Sequence, residues 1–204
     1  MKVRIDLKII IFLIIFLITK QIKIYILIMF FCFLHEMGHI FVAQLLKMNV
    51  KKLEVLPCGF SSSFFSEMQL DEKNKWNIEK EIMIAMAGPI VSFLLAIFFQ
   101  YVDIINISEA IRQKIVYSNM LILIFNLLPL YPLDGGRILN GLLKIKFTEQ
   151  KANNITDKIS EVMLIVFTII SSIAVYYFKN IAIFLVCIFL WQKVLIFCGE
   201  NSKI

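Results

Sequence analysis

Apolar runs long enough to cross a bilayer recur along this 204-residue chain, and runs of that length admit few folds. A lipid interior offers the backbone no hydrogen-bond partner, so a crossing segment must be helical or belong to a closed barrel. Taking about 20 apolar residues per helical span, six candidates emerge, at roughly 3–19, 24–46, 81–102, 113–131, 160–178 and 181–198. The chain is 60% hydrophobic with 19 phenylalanines, whereas the apolar share of a soluble domain is about half. The expected fold is an all-α polytopic membrane protein of six transmembrane helices, with residues 1–204 forming one membrane-embedded domain.

The N-terminus has a basic start (Lys2, Arg4, Lys8) and an apolar run from Ile9 to Thr19, the outline of a signal peptide. No small-residue cleavage site follows, because Lys20, Gln21, Ile22 and Lys23 come next. The segment reads as a retained first span in which Lys8 snorkels to the surface. With the N-terminus in the cytoplasm, sixteen Lys and Arg fall on that side and five on the other. Cytoplasmic loops carry the basic excess, so both termini are expected there. The net charge of +6 is thus a topology signal, and no basic cluster interleaved with aromatics points to nucleic acid. Cys32, Cys58, Cys187 and Cys198 contain no C-x-x-C pair, which argues against a disulfide framework or a zinc ribbon.

Between the second and third spans, Leu53, Val55 and Pro57 alternate with other residues, and Gly59 and Ser61 to Ser63 break the run. This pattern predicts a short β hairpin at the cytoplasmic membrane surface, with an irregular amphipathic loop as the equal alternative. The charged stretch from Glu67 to Lys80 follows, with Trp76 as an interface anchor.

Both histidines of the chain lie in His35-Glu36-Met37-Gly38-His39, inside the second span. On a helix the two imidazoles share one face, at the separation that lets both hold one Zn²⁺, and Glu36 can reach a water on the metal. An ionisable residue near the bilayer centre costs on the order of 2.5 to 3.5 kcal/mol, so three together call for a metal. The bland reading is a polar cluster that hydrogen-bonds helices together. A catalytic zinc takes three protein ligands and a water, and no third histidine exists. Of the five aspartates, Asp134 alone lies outside polar or terminal segments, which makes it the best candidate. It sits in Asn126-Leu-Leu-Pro129-Leu-Tyr-Pro132-Leu-Asp134-Gly135-Gly136, where two prolines break the helix and the glycine pair permits a sharp turn. The third span carries Ala85-Met-Ala-Gly88-Pro89 and Ser92, small residues whose spacing suits close helix packing. Cys32, one turn before Glu36, reads as packing rather than as a ligand.

These three motifs, in this order over residues 24–140, resemble the site-2 protease family of intramembrane zinc metalloproteases, peptidase family M50. Within it, Leu56-Pro57-Cys58-Gly59 after the zinc helix, six spans and no PDZ insertion resemble the stage-IV sporulation type that processes a pro-sigma factor. The resemblance implies that His35, His39 and Asp134 bind Zn²⁺, that Glu36 is the general base and that Asn126 lines the site near the scissile bond. It implies a membrane-associated protein substrate, held in extended form by the surface strand, with Leu56, Pro57, Gly59, Pro129 and Pro132 as substrate-contacting positions. It further implies a bacterial cell membrane or forespore outer membrane location, contact with lipid, and an inhibitory membrane protein partner. Relatives of this type often carry a C-terminal CBS domain. This sequence ends before one, so nucleotide regulation of that kind is not expected. Two rival classes are a membrane metal-handling or transport protein and a non-hydrolytic helix-binding relative. The first would need several ligand clusters, and the second would be expected to have lost Glu36 or a ligand.

Overall fold

A computed structural model describes residues 2–5, 7–56, 59–65, 75–102, 107–178 and Trp191. It divides into two units, Met1–Asn126 and Leu127–Ile204.

The first unit opens with a strand, β1 (Lys2–Ile5), then α1 (Lys8–Ile18) and α2 (Ile22–Leu45). β2 (Asn49–Leu56) and β3 (Gly59–Phe65) follow, and α3 (Lys75–Tyr101) and α4 (Glu109–Asn126) complete it. β2 and β3 pair antiparallel, with Val55 opposite Phe60 and Leu56 opposite Gly59. β1 joins the other edge of β2 in parallel, Val3 opposite Leu53, so the sheet order is β1-β2-β3. The expected first span of 3–19 is therefore corrected. Residues 2–5 are sheet, and the 11 residues of α1 extend only about 16 Å, against a hydrocarbon core of about 30 Å.

Helices α1 and α2 end alike. Lys20 and Lys47 adopt φ values of 58° and 56°, where glycine is usual. Around each, the next amide reaches back five residues, Gln21 to Phe16 at 2.8 Å and Met48 to Ala43 at 2.8 Å. These bonds satisfy carbonyls at both helix ends and reverse the chain. Phe16 stacks on Tyr25 across the first reversal, with ring centroids 4.7 Å apart.

Among the described residues, two helices are long and apolar enough to cross a membrane, Ile22–Leu45 and Asn77–Tyr101. The burial pattern of α2 explains where its polar groups go. Its inward face holds Tyr25, Phe31, Cys32, His35, Glu36, Gly38, His39 and Ala43, whereas Ile26, Phe30, Phe41 and Leu45 are exposed. α3 likewise exposes Ile90, Phe93 and Leu94 while Ser92 is buried. Polar groups inside and large apolar groups outside invert the order of a soluble helix, and lipid is the solvent that suits it. α4 lays Ile115 and Ile122 against Phe31 and Cys32. It ends at Asn126, five residues short of the expected limit of its span.

The second unit contains α5 (Asp134–Lys146) and α6 (Glu149–Phe178). Most of the stretch between the fourth and fifth expected spans is helical. The sharp turn expected at Gly135-Gly136 is replaced, because both glycines lie in the first turn of α5. Their lack of a side chain serves a close approach instead. A Cβ on Gly135 would stand 2.2 Å from the Leu127 carbonyl oxygen, and one on Gly136 would meet the Leu130 carbonyl carbon and Tyr131 nitrogen at 2.5 Å. α6 begins well before the expected 160 and buries Ala152, Thr156, Ser160 and Leu164, one residue per turn, with Ser171 two turns on. This narrow stripe lets α5 pack closely. The sixth expected span, 181–198, lies outside the described residues apart from Trp191, whose indole N–H is donated to Thr168 Oγ1 at 2.9 Å.

Candidate metal centre

His35 stands near the middle of α2, and His39 follows one turn later on the same face. Both rings are buried, at 4% and 2% exposure, and meet edge to face with centroids 4.9 Å apart. Each ring is steered by α3. His39 Nδ1 lies 2.7 Å from the Ile84 carbonyl oxygen, and His35 Nδ1 lies 2.8 Å from Ser92 Oγ. A carbonyl only accepts, so His39 must carry its proton on Nδ1, which leaves a lone pair on Nε2. A histidine metal ligand is usually fixed by such a bond from its other nitrogen.

The two Nε2 atoms face each other at 3.2 Å. Two nitrogens bound about 2.05 Å from a tetrahedral zinc lie about 3.3 Å apart, so the observed separation is that of a ligand pair. Gly88 forms the wall beside them, where a Cβ would come within 2.3 Å of His39 Nε2 and 2.4 Å of His35 Nε2. The next residue, Pro89, has no N–H to return to Ala85, so the α3 ladder is interrupted beside the turn whose Ile84 carbonyl serves His39. The Ala-Gly-Pro segment thus supplies a close backbone wall as well as helix packing, and Ile84 just before it supplies the acceptor. Ser92 is the functional residue that sequence reasoning assigned to packing alone; its spacing from Gly88 signalled proximity to α2 but not a bond to His35.

Glu36 is 5% exposed, and its Oε1 has no hydrogen-bond partner. A buried, unpartnered carboxylate oxygen on the helix that carries two convergent imidazoles fits a site that takes up a metal and its water. Asn119, fully buried on α4, donates to the Ile115 carbonyl at 2.9 Å and leaves its Oδ1 unpartnered. Sequence reasoning did not single it out. Asn126 is half-buried, and its Nδ2 is donated to the Ile122 carbonyl at 2.9 Å. Gly59 opens β3 at φ 140°, and its Cα faces Cys32, whose Cβ and Sγ would lie 3.5 Å from an added Cβ. Leu56 closes β2 and Pro57 lies outside the described residues.

In the second unit, Asp134 is 6% exposed and is the first residue of α5. A carboxylate is stabilised at that end by the helix dipole. Pro129 and Pro132, both half-buried, lie in the segment before it, and the Tyr131–Pro132 bond is cis. His35 and His39 of the first unit and Asp134 of the second are all buried, and imidazole and carboxylate are both donors that suit zinc.

Comparison with known proteins agrees with this chemistry. Residues 23–117 and 102–170 match peptidase family M50. A zinc metalloprotease of Methanocaldococcus jannaschii is 30% identical over 78% of this chain and 44% of its own length. The stage IV sporulation protein FB of Bacillus subtilis is 26% identical over 71% of this chain and 48% of its own. The chain thus spans about half the length of these curated relatives. The solved site-2 protease from Methanocaldococcus jannaschii shares the fold with a TM-score of 0.70 at 24% identity, covering 99% of this chain and 91% of that one. With the family match running through α2, α3 and α4 into α6, the chain belongs to peptidase family M50.

Proposed function

We propose that this chain is an intramembrane zinc metalloendopeptidase that hydrolyses a peptide bond of a membrane-associated protein. The carrying observation is the pair of buried Nε2 atoms 3.2 Å apart on α2, with the buried, unpartnered Glu36 Oε1 on the same helix. His35 and His39 hold the metal, and Asp134 is the third ligand. Zinc held there would supply a Lewis acid and make water at the site more acidic. Glu36 takes a proton from the attacking water and returns it to the leaving amine. Asn126, freed from its bond to Ile122, donates to the oxyanion.

The substrate must arrive extended, because a helix ties its carbonyls into internal bonds. The β1-β2-β3 sheet supports strand addition as the means: β1 and β3 are its two edges among the described strands, and β3, whose Gly59 approaches Cys32 of α2, is the edge chosen in this reading. In this reading the sheet lies at the cytoplasmic membrane surface and both termini are cytoplasmic, as the distribution of Lys and Arg favours. In this reading Leu56, Pro57 and Gly59 contact the substrate, as do Pro129 and Pro132. The motif resemblance to the sporulation type, together with similarity to a stage IV sporulation protein, favours a pro-sigma factor as substrate, and an inhibitory membrane partner belongs to the same reading.

Co-expression of the chain with candidate membrane-associated pro-sigma factors tests this reading. A shorter product should form with the wild type and be absent with Glu36→Gln. A product of equal yield from both would refute the protease assignment.

A further inference from the structure

Pro129 and Pro132 remove two amide donors from the segment that leads into α5, and Tyr131 between them keeps its own. That N–H is donated to Ser160 Oγ on α6 at 2.9 Å, and Ser160 is 1% exposed. From Tyr131 to Asp134 the segment has little slack. The Leu133 amide bonds the Leu130 carbonyl at 2.8 Å, the Arg137 amide bonds the Leu133 carbonyl at 3.1 Å, and Gly136 packs against the Leu130 and Tyr131 backbone with no room for a Cβ. Where Tyr131 is held, Asp134 follows. α5 is tied to the same helix one step further on, as Asn140 Nδ2 is donated to Asn153 Oδ1 at 2.9 Å and to Thr156 Oγ1 at 3.1 Å.

We propose that Ser160 is a positioning residue for Asp134: its hydroxyl anchors the Tyr131 amide to α6 and so sets where the carboxylate at the start of α5 stands. Both flanks of Asp134 are then referenced to α6, and α6 becomes part of the metal site without contributing a ligand. The inference rests on the reading of Asp134 as the third zinc ligand. Removing the hydroxyl takes away the acceptor that holds the part-buried Tyr131 amide to α6, and the segment is then free to shift.

The test is zinc affinity of the full-length chain in detergent, measured by competition with a chelating indicator. Ser160→Thr and Ser160→Val are nearly equal in shape and differ in the hydroxyl, so their comparison isolates the bond even if Ser160→Ala folds poorly. We expect Ser160→Thr to bind zinc close to wild type and Ser160→Val to bind on the order of tenfold more weakly, the scale of outer-shell effects on metal sites. Ser171→Ala, which alters a buried serine further along α6, should leave affinity unchanged. Asp134→Ala is run in parallel. If it weakens zinc while the Thr and Val variants bind equally, Ser160 is a packing residue and the inference is overturned. If Asp134→Ala binds zinc like wild type, Asp134 is no ligand and both readings fall together.

Discussion

The Nδ1 proton of His39 is committed to the carbonyl oxygen of Ile84, 2.7 Å away on the neighbouring helix. That bond fixes the tautomer, points Nε2 toward His35 and makes a backbone atom of α3 part of the metal site. No side-chain substitution removes this acceptor, so the partner of His35 offers the cleaner probe. Ser92→Ala takes away the hydroxyl 2.8 Å from His35 Nδ1 and leaves His39 untouched. Zinc affinity should fall by about 10- to 100-fold, as for outer-shell partners elsewhere. Chelator competition checks this, and an unchanged affinity would show that His35 needs no such steering.

Gly88→Ala should cost the site its metal while improving the helix. Alanine is favoured over glycine by about 1 kcal/mol in a helix interior. The added methyl would nevertheless stand within 2.4 Å of both Nε2 atoms. We expect unchanged helicity by circular dichroism together with loss of bound zinc by elemental analysis. Retention of both would mean that α3 can back away from α2.

Glu36→Gln separates metal binding from chemistry. The amide keeps the size of the carboxylate and both histidines remain, so zinc content should be preserved. Loss of a general acid–base typically lowers the rate 10²- to 10⁴-fold. Single-turnover cleavage of a membrane-anchored substrate in detergent is the measurement. Activity near wild type would assign the proton transfer to another group.

How much of this was legible in the sequence depends on which force shaped each element. His35, Glu36 and His39 could be read because a helix of period 3.6 places them on one face whatever the surroundings, and α2 and α3 because lipid demands long apolar runs. β1 was missed because Lys2–Ile5 adjoins an apolar helix and only its pairing with Lys52–Val55 marks it as a strand. α5 was missed because Asp-Gly-Gly signals a turn locally. In the structure the glycines answer to the 127–131 backbone lying against them, a tertiary demand that leaves no local trace. Ser92 belongs with α5 in this respect, since its bond to His35 spans 57 positions.

Removal of zinc should lower thermal stability. A ligand that binds only the folded state stabilises it by about 4 kcal/mol at a thousandfold excess over Kd. Chelator treatment is therefore expected to depress the melting temperature of the wild type clearly and that of a His35→Ala, His39→Ala double variant little. Equal shifts in the two would place the chelator's effect outside this site.

The bonds from His35 and His39 to α3 also tie two equilibria together. The energy that orients the imidazoles is the energy that holds α2 against α3, so metal affinity and helix association are linked functions, and each must strengthen the other to the same degree. A force that pries the two helices apart, from a partner's span wedging between them or from a thinning bilayer, would be felt first as a loosened grip on the ion. The metal site would then double as a gauge of how tightly its own walls are closed.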